Sequence, residues 1–332
     1  MKTHKFGASV MDIGVGAFVA ANAFASSDAK YKNLLLSVPK LFKKVFPLLV
    51  VGFIRWASTA GTGYHVDPTE YGIHWNFFMS LAIVHTVSIT IIRNFSRTRP
   101  GFLALIVLVT YEIALRKLDL YNLVFGPDRS SFFLANKEGI LGSIGLTALY
   151  LLYVELGRII LPKIKSNESI LKDVTGLCLL FWLLVIFLHS IGIEPSRRLS
   201  NLGYVVWIAA MAMSFLLFCT IGEIARVRMR VSQPRLINDL NRTMLPVFLL
   251  ANIFTGLVNF SIETHKQTSL TAHFIMIIYL LFVSTVAWGI CRNEKLLRFV
   301  RSLFGGPPRA KTADVSISAL PFSSKSNVFP SN

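Results

Sequence analysis

The stretch His65-Val66-Asp67-Pro68-Thr69-Glu70-Tyr71-Gly72-Ile73-His74-Trp75-Asn76 sets two carboxylates, two imidazoles, an indole and an amide just before an apolar run that continues to about Ile92. Polar groups are costly where water gives way to hydrocarbon unless they are paired, so this density asks for a purpose. An aromatic interface belt accounts for Tyr71 and Trp75 but not for Glu70, His74 and Asn76 around them. Glu70 and His74 are four apart, so a helix that begins by Glu70 sets both on one face, able to exchange a proton. Acyl transfer to an alcohol needs such a base for the hydroxyl proton and donors for the developing oxyanion. Asn76 or the Trp75 indole can donate. His85, deeper in the same run, reads as a packing histidine.

Further polar clusters sit at the ends of other apolar runs. Asp12, near the start of the first run, costs about 2.5–3.5 kcal/mol on an insertion scale unless it is paired or reaches water. Gly14 and Gly16 beside it allow close approach of another chain. Asn136 is placed to cap the helix that follows it, and Glu138 suits that helix's first turn. The pair Arg197-Arg198 suits a phosphate, because the guanidinium fork matches its oxygens. Asn252, Thr255, Gly256 and Asn259 form a polar stripe at i, i+3, i+4 and i+7, which reads as interhelical glue or as the lining of a substrate chamber. His65, Asp67 and His74 do not make a metal site, and no metal is expected. There is no phosphate-cradling glycine loop, nucleophile elbow or dinucleotide fingerprint.

These clusters must be positioned by membrane helices. Of 332 residues 53% are apolar and only 15% charged, and the mean hydropathy is +0.58, which excludes an ordinary soluble domain. The apolar residues come in blocks that predict an all-α polytopic integral membrane protein, with about nine transmembrane helices in one bundle. The expected spans are 7–26, 45–60, 72–92, 101–120, 139–161, 174–193, 202–222, 244–262 and 271–291. The second is short, and Pro39, Lys40, Lys43, Lys44 and Pro47 read as a basic amphipathic lead-in lying at the interface. Residues 1–305 form one domain, and 306–332, rich in Ser, Pro and Lys, read as a disordered cytosolic tail.

The formal charge of +17 resides in the loops rather than in a basic helix or aromatic-interleaved patch, so nucleic acid is rejected as a partner. Alternate connections carry 24 and 7 Lys and Arg, and by the positive-inside rule the richer set, with the C-terminus, is cytoplasmic. The N-terminus and every cluster at a run's end then face the lumen, on one side of the membrane. The glycosylation acceptors at Asn94, Asn167 and Asn241 all fall in cytoplasmic loops, where they go unused. Cys178, Cys219 and Cys291 read as small buried hydrophobes. Asp12 and Gly14-Val15-Gly16 argue against a cleavable signal peptide. The rival class is a lipid transporter or flippase, with Asp12 and the asparagine stripe as its pathway; no internal repeat supports it.

The stretches Ser9-Val10-Met11-Asp12-Ile13-Gly14-Val15-Gly16-Ala17-Phe18 with Lys2-Thr3, Glu70-Tyr71-Gly72-Ile73-His74-Trp75-Asn76-Phe77-Phe78, Asn136-Lys137-Glu138-Gly139, Ser196-Arg197-Arg198 with Asn201, and Ala251-Asn252 with Thr255-Gly256-Leu257 and Asn259 resemble the glucosaminyl-phosphatidylinositol acyltransferases, the PIG-W family. The likeness covers nearly the whole chain. It implies a multi-pass enzyme of the endoplasmic-reticulum membrane that moves a fatty acyl group, typically palmitoyl, to the inositol 2-hydroxyl of glucosaminyl-phosphatidylinositol. The donor is acyl-CoA as co-substrate, with no bound cofactor and no obligate protein partner. Lys2 matches the family's lysine before the first span here and joins Glu70 and His74 as a candidate catalytic group. A lysine works as a base only if desolvation or nearby positive charge lowers its pKa. The resemblance further implies substrate-binding roles for Asp12, Tyr71, Trp75, Asn76, Asn136, Lys137, Glu138, Arg197, Arg198, Asn201, Asn252 and Asn259. It begins in the luminal loop before the family's fifth span, so the family's N-terminal third has no counterpart here. The alternative to an active enzyme is a catalytically inactive truncated isoform.

Overall fold

In the computed structural model, which describes residues 3–30, 38–62, 67–161, 166–232, 234–262 and 267–304, every regular element is a helix. The chain divides into two compact units, Met1–Val227 and Arg228–Asn332. The first holds α1 (Ile13–Phe24), α2 (Ser27–Lys30), α3 (Val38–Thr62), α4 (Phe77–Asn94), α5 (Pro100–Lys117), α6 (Leu120–Phe125), α7 (Phe132–Ala135), α8 (Lys137–Ile160), α9 (Asn167–Ser190) and α10 (Leu202–Arg228, whose last residue crosses the boundary). The second holds α11 (Arg235–Arg242), α12 (Met244–Ser261), α13 (Ser269–Arg292) and α14 (Glu294–Phe304).

Among the described residues five helices are long and apolar enough to cross a membrane: α4, α8, α9, α10 and α13. The other expected spans fall short for visible reasons. In α5, Glu112, Arg116 and Lys117 interrupt the apolar run, and α12 is shorter in its apolar part. The second expected span belongs to a longer helix, α3, which runs unbroken through Pro47 and the basic residues expected to lie outside it. The first is cut to 12 helical residues. Thr3 to Ser9 are not helical and cross to the loop before α10, where the Gly7 amide donates to the Pro195 carbonyl (2.9 Å) and Ser196 Oγ to the Lys5 carbonyl (2.6 Å). Asp12 therefore stands in a 3-10 turn at the mouth of α1, not within a span.

The first unit is built around α8, which packs on α1, α4 and α5. Its sequence explains why. Leu146, Leu149, Leu151 and Val154 enter the main core with Val84, Leu103 and Ile208, while Gly139, Gly142 and Gly145 clear a strip along another side. On that strip a side chain at Gly139 would strike the Trp75 ring, and one at Gly145 would strike the Ser200 carbonyl. The loops that carry the polar residues thus lie directly on the helix backbone. Gly145→Ala should cost ~1–3 kcal/mol by overpacking, read as a lowered unfolding temperature of the detergent-solubilised chain. An unchanged temperature would mean that the 194–201 loop does not rest on α8.

The second unit is an antiparallel hairpin of α12 and α13, in which Phe254 stacks on Phe282 (4.4 Å between ring centres). A small core of Val247, Ala287 and Ile290 closes one end and receives Leu240 of α11 and Leu297 of α14. Of the three cysteines only Cys178 is buried; Cys219 is exposed on α10 and Cys291 is intermediate.

Candidate functional site

Local backbone chemistry, not a helix, holds the 67–76 stretch. Asn76 has extended backbone angles and its Oδ1 accepts from the Phe78 and Met79 amides, so α4 cannot start before Phe77. Upstream, Gly72 adopts φ +122°, and a Cβ there would collide with Asn136. Glu70 and His74 consequently do not share a helical face, which corrects the expected pairing. Glu70 borders a polar cleft with Tyr71, Glu138, Arg197, Arg198 and Ser200. His74 is exposed; its Nδ1 accepts a long hydrogen bond from the Trp56 indole (3.4 Å), and its ring stacks parallel to Phe132 (6.5 Å).

The loop docks on the start of α8 through backbone groups. The Ile73 amide donates to the Ala135 carbonyl (3.0 Å) and the Gly139 amide to the Tyr71 carbonyl (2.9 Å). Asn136 occupies the N-cap position of α8 without capping it, because its Oδ1 is taken by the His74 amide (2.8 Å) and its Nδ2 by the Phe132 carbonyl (2.9 Å). The expected capping role is thereby replaced by a loop clasp. Trp75 Nε1 donates to Ser80, which lines the cleft (2.9 Å), and Asn76 Nδ2 to the Gly52 carbonyl of α3 (2.8 Å), so both donors are already engaged.

Two ionic centres border the cleft, reaching it through Glu138, Arg197 and Arg198. Glu138, with its side chain fully buried, is gripped by Arg129 through both nitrogens (2.7 and 2.6 Å) and by Arg198 (2.9 Å). Arg198 also donates to the His4 and Val124 carbonyls and lies over the Phe125 ring (5.1 Å). Lys137 is buried beside them and spends its ammonium on the Gly126 and Asp128 carbonyls (2.8 and 2.9 Å). The second centre is Asp12, 1% exposed, with Arg197 Nε 3.1 Å from its Oδ1. That pair is an ionic contact without hydrogen-bond alignment, since neither of those two atoms has a hydrogen-bond partner; Arg198 Nε is likewise unpartnered. Asp12 Oδ2, by contrast, accepts from Ser9 Oγ (2.7 Å), Thr3 Oγ1 (3.0 Å) and the Thr3 amide (3.3 Å). Asn201 shapes the arginine loop by accepting from the Ser196 and Tyr204 amides and donating to the Glu194 carbonyl.

Charge in the cleft acts on the loop groups. Burial raises the Asp67 carboxyl, but hydrogen bonds from the Thr69 amide and hydroxyl, with the fields of Arg198 and Arg197, hold it below the usual carboxylate range. Burial pushes the Tyr71 phenol up to about 12 against the opposing pull of Arg197 and Arg55, so it remains a hydrogen-bond donor at neutral pH. The cleft itself is narrow, with room for about 20 Å³. Beside it, an apolar groove of about 470 Å³ starts at Ile13 and runs along Ala17, Ala20 and Phe24 between Tyr153 and Leu216.

The expected residues of the first unit thus fall into one neighbourhood, apart from Lys2, which lies outside the described residues. His85 packs edge-on against Tyr150 (5.2 Å). Asn252 belongs to the second unit, where its Nδ2 bonds back to the Phe248 carbonyl (2.8 Å) and its side chain is exposed; the Asn259 side chain lies outside what is described. Sequence reasoning missed three participants. Arg129 is the stronger partner of Glu138, Ser9 is the closest donor to Asp12, and Tyr204 bridges the Asp12 carbonyl and the Gly16 amide through its hydroxyl (2.9 and 3.2 Å). The one available signal was the 112–138 connection, which holds the most basic residues of any predicted luminal loop.

Residues 1–290 match the GWT1 family model. The chain belongs to the GWT1 family. Its GWT1 relatives include the GPI-anchored wall transfer protein 1 of Cryptococcus neoformans (30% identical, over 86% of this chain and 56% of the relative) and that of Yarrowia lipolytica (30%, 90% and 67%). An uncharacterized protein of Arabidopsis thaliana is 33% identical over 90% of the chain and 68% of its own length. The chain thus spans between about half and two thirds of the length of these relatives.

Proposed function

We propose that the chain takes part in GPI-anchor biosynthesis, transferring a fatty acyl group from acyl-CoA to the inositol 2-hydroxyl of glucosaminyl-phosphatidylinositol. The observation that carries the reading is the GWT1 match over residues 1–290. The relatives' names support a GPI lipid as substrate. In this reading α1 continued by α2, together with α3, α5 and α12, completes a nine-span crossing of the endoplasmic-reticulum membrane, with the N-terminus luminal and the C-terminus cytosolic.

The chemistry assigned to the cleft is proton transfer and charge stabilisation. The inositol hydroxyl attacks the thioester carbonyl, its proton passes to a base, and the CoA sulfur leaves and takes up a proton. Glu70 and Lys2 are the candidate bases. His74 fits a donor better than a base: with Nδ1 engaged by Trp56, the neutral ring carries its proton on Nε2. Arg197, with Nε unsatisfied, and the Tyr71 phenol suit the lipid phosphate or the oxyanion. The groove beginning at Ile13 falls in the ~300–1,000 Å³ range of ligand pockets and suits the acyl chain. At about 20 Å³ the cleft is too small for a lipid headgroup, so the acceptor's binding requires side chains such as Arg197 or Tyr71 to turn aside.

The test uses membranes that lack endogenous inositol acylation, supplied with labelled palmitoyl-CoA and glucosaminyl-phosphatidylinositol. Labelled inositol-acylated product is expected from membranes carrying the chain, and Glu70→Gln or Lys2→Ala should lower its rate about 10²–10⁴-fold, the usual worth of a general base. Movement of the lipid between leaflets without acylation would sink the proposal and leave the transporter.

A further inference from the structure

The second unit carries two helices whose apolar sides are only half used. Leu240 of α11 and Leu297 of α14 turn into the core of Val247, Ala287 and Ile290. Leu236 (44% exposed), Ile237 (63%), Leu296 (40%) and Phe299 (60%) do not. Both helices flank the same end of the α12–α13 hairpin, since α11 ends two residues before α12 begins and α14 starts two residues after α13 ends.

That end is fixed relative to a bilayer by the hairpin. At 24 residues α13 is ~36 Å long, more than the ~30 Å hydrocarbon core, so its last turn reaches headgroup depth. There Arg292 lies over the Trp288 ring (4.9 Å), an aromatic–cation pair of the kind found at membrane boundaries. The chain then turns at Asn293, whose Oδ1 accepts from the Lys295 and Leu296 amides (both 3.1 Å) and starts α14 in a new direction. Charge on the two flanking segments is one-sided. Residues 228–242 hold Arg228, Arg230, Arg235 and Arg242 against Asp239, and 292–301 hold Arg292, Lys295, Arg298 and Arg301 against Glu294.

The geometry points to α11 and α14 as a collar lying in the plane of the membrane surface, with Leu236, Ile237, Leu296 and Phe299 among the acyl chains and Arg235, Lys295 and Arg298 on the headgroups of anionic phospholipids. Short amphipathic helices with cations beside an apolar face bind such surfaces through both contributions at once. The assignment rests on the membrane hairpin alone and not on the acyl-transfer reading.

The full chain is reconstituted in phosphatidylcholine vesicles containing a minor share of phosphatidylserine, with photoreactive benzoylphenylalanine at Ile237 or at Phe299. Both positions are exposed, so the probe leaves the core intact, which circular dichroism checks. Irradiation should give lipid adducts at both sites, with phosphatidylserine enriched over its mole share. Each cation contributes about fivefold to that enrichment, so Lys295→Gln with Arg298→Gln should bring it close to the mole share at Phe299 while adducts persist. Adducts confined to protein, no adducts, or phosphatidylserine at its mole share in the otherwise unsubstituted chain would each overturn the assignment.

Discussion

Glu138→Ala is expected to cost about 3–5 kcal/mol of stability, the toll for removing one partner from a buried charge network. The carboxylate is fully enclosed and is the common acceptor for Arg129 and Arg198, whose side chains are 19% and 9% exposed. Without it two guanidiniums are left beside α8 with no carboxylate between them, while Arg198 stays tied to the Val124 and His4 carbonyls. Glu138→Gln should cost less, because the amide oxygen still accepts one guanidinium N–H. Arg129→Ala should cost least, since it leaves the Arg198–Glu138 pair intact. Unfolding of the detergent-solubilised variants, followed by tryptophan fluorescence, measures the order. If Glu138→Ala unfolds with the unsubstituted chain, the network contributes nothing to stability.

How far the sequence disclosed this arrangement depended on the kind of signal. Apolar blocks announced the helices, because twenty apolar residues in a row admit few other fates. Their ends were less legible. The start of α4 was expected before Asn76, yet that side chain's preference for the N-cap moved it to Phe77 and unmade the Glu70–His74 register. The first span was overestimated because Val10 and Met11 are apolar, while the backbone just before them is committed to the 195–196 loop. Asp12, Glu138, Arg197 and Arg198 stood out, since charges at the rim of hydrocarbon are conspicuous. Who pairs with whom was not legible. Partners such as Arg129 and Glu138 meet through the turn at 126–131, and Asp12 and Arg197 come together across 185 positions of sequence, a distance no local pattern spans. The close packing of the loops on Gly139 and Gly145 was equally hidden, because a glycine in a helix does not say what will lie against it.

The Asp12–Arg197 pair separates a structural role from a chemical one. Asp12→Asn keeps the hydrogen bonds from Ser9 and Thr3 but strands the Arg197 charge, and Arg197→Gln strands the carboxylate; each should lower stability by several kcal/mol. The combined variant removes both charges and should regain most of that loss, because no unpaired ion is left in the interior. Acyl transfer should not return with it. If Arg197 holds the lipid phosphate or the oxyanion, its removal costs about 10²–10³-fold in rate, the usual worth of one such donor, whether or not Asp12 is also replaced. The two measurements are the unfolding temperature and the rate of labelled acyl transfer in the four forms of the cycle. Recovery of both in the combined variant would make the pair a fastener only, and the phosphate would have to be sought at another cation. Recovery of stability alone leaves Arg197 as a group that meets the substrate, with Asp12 serving to hold it at the mouth of α1.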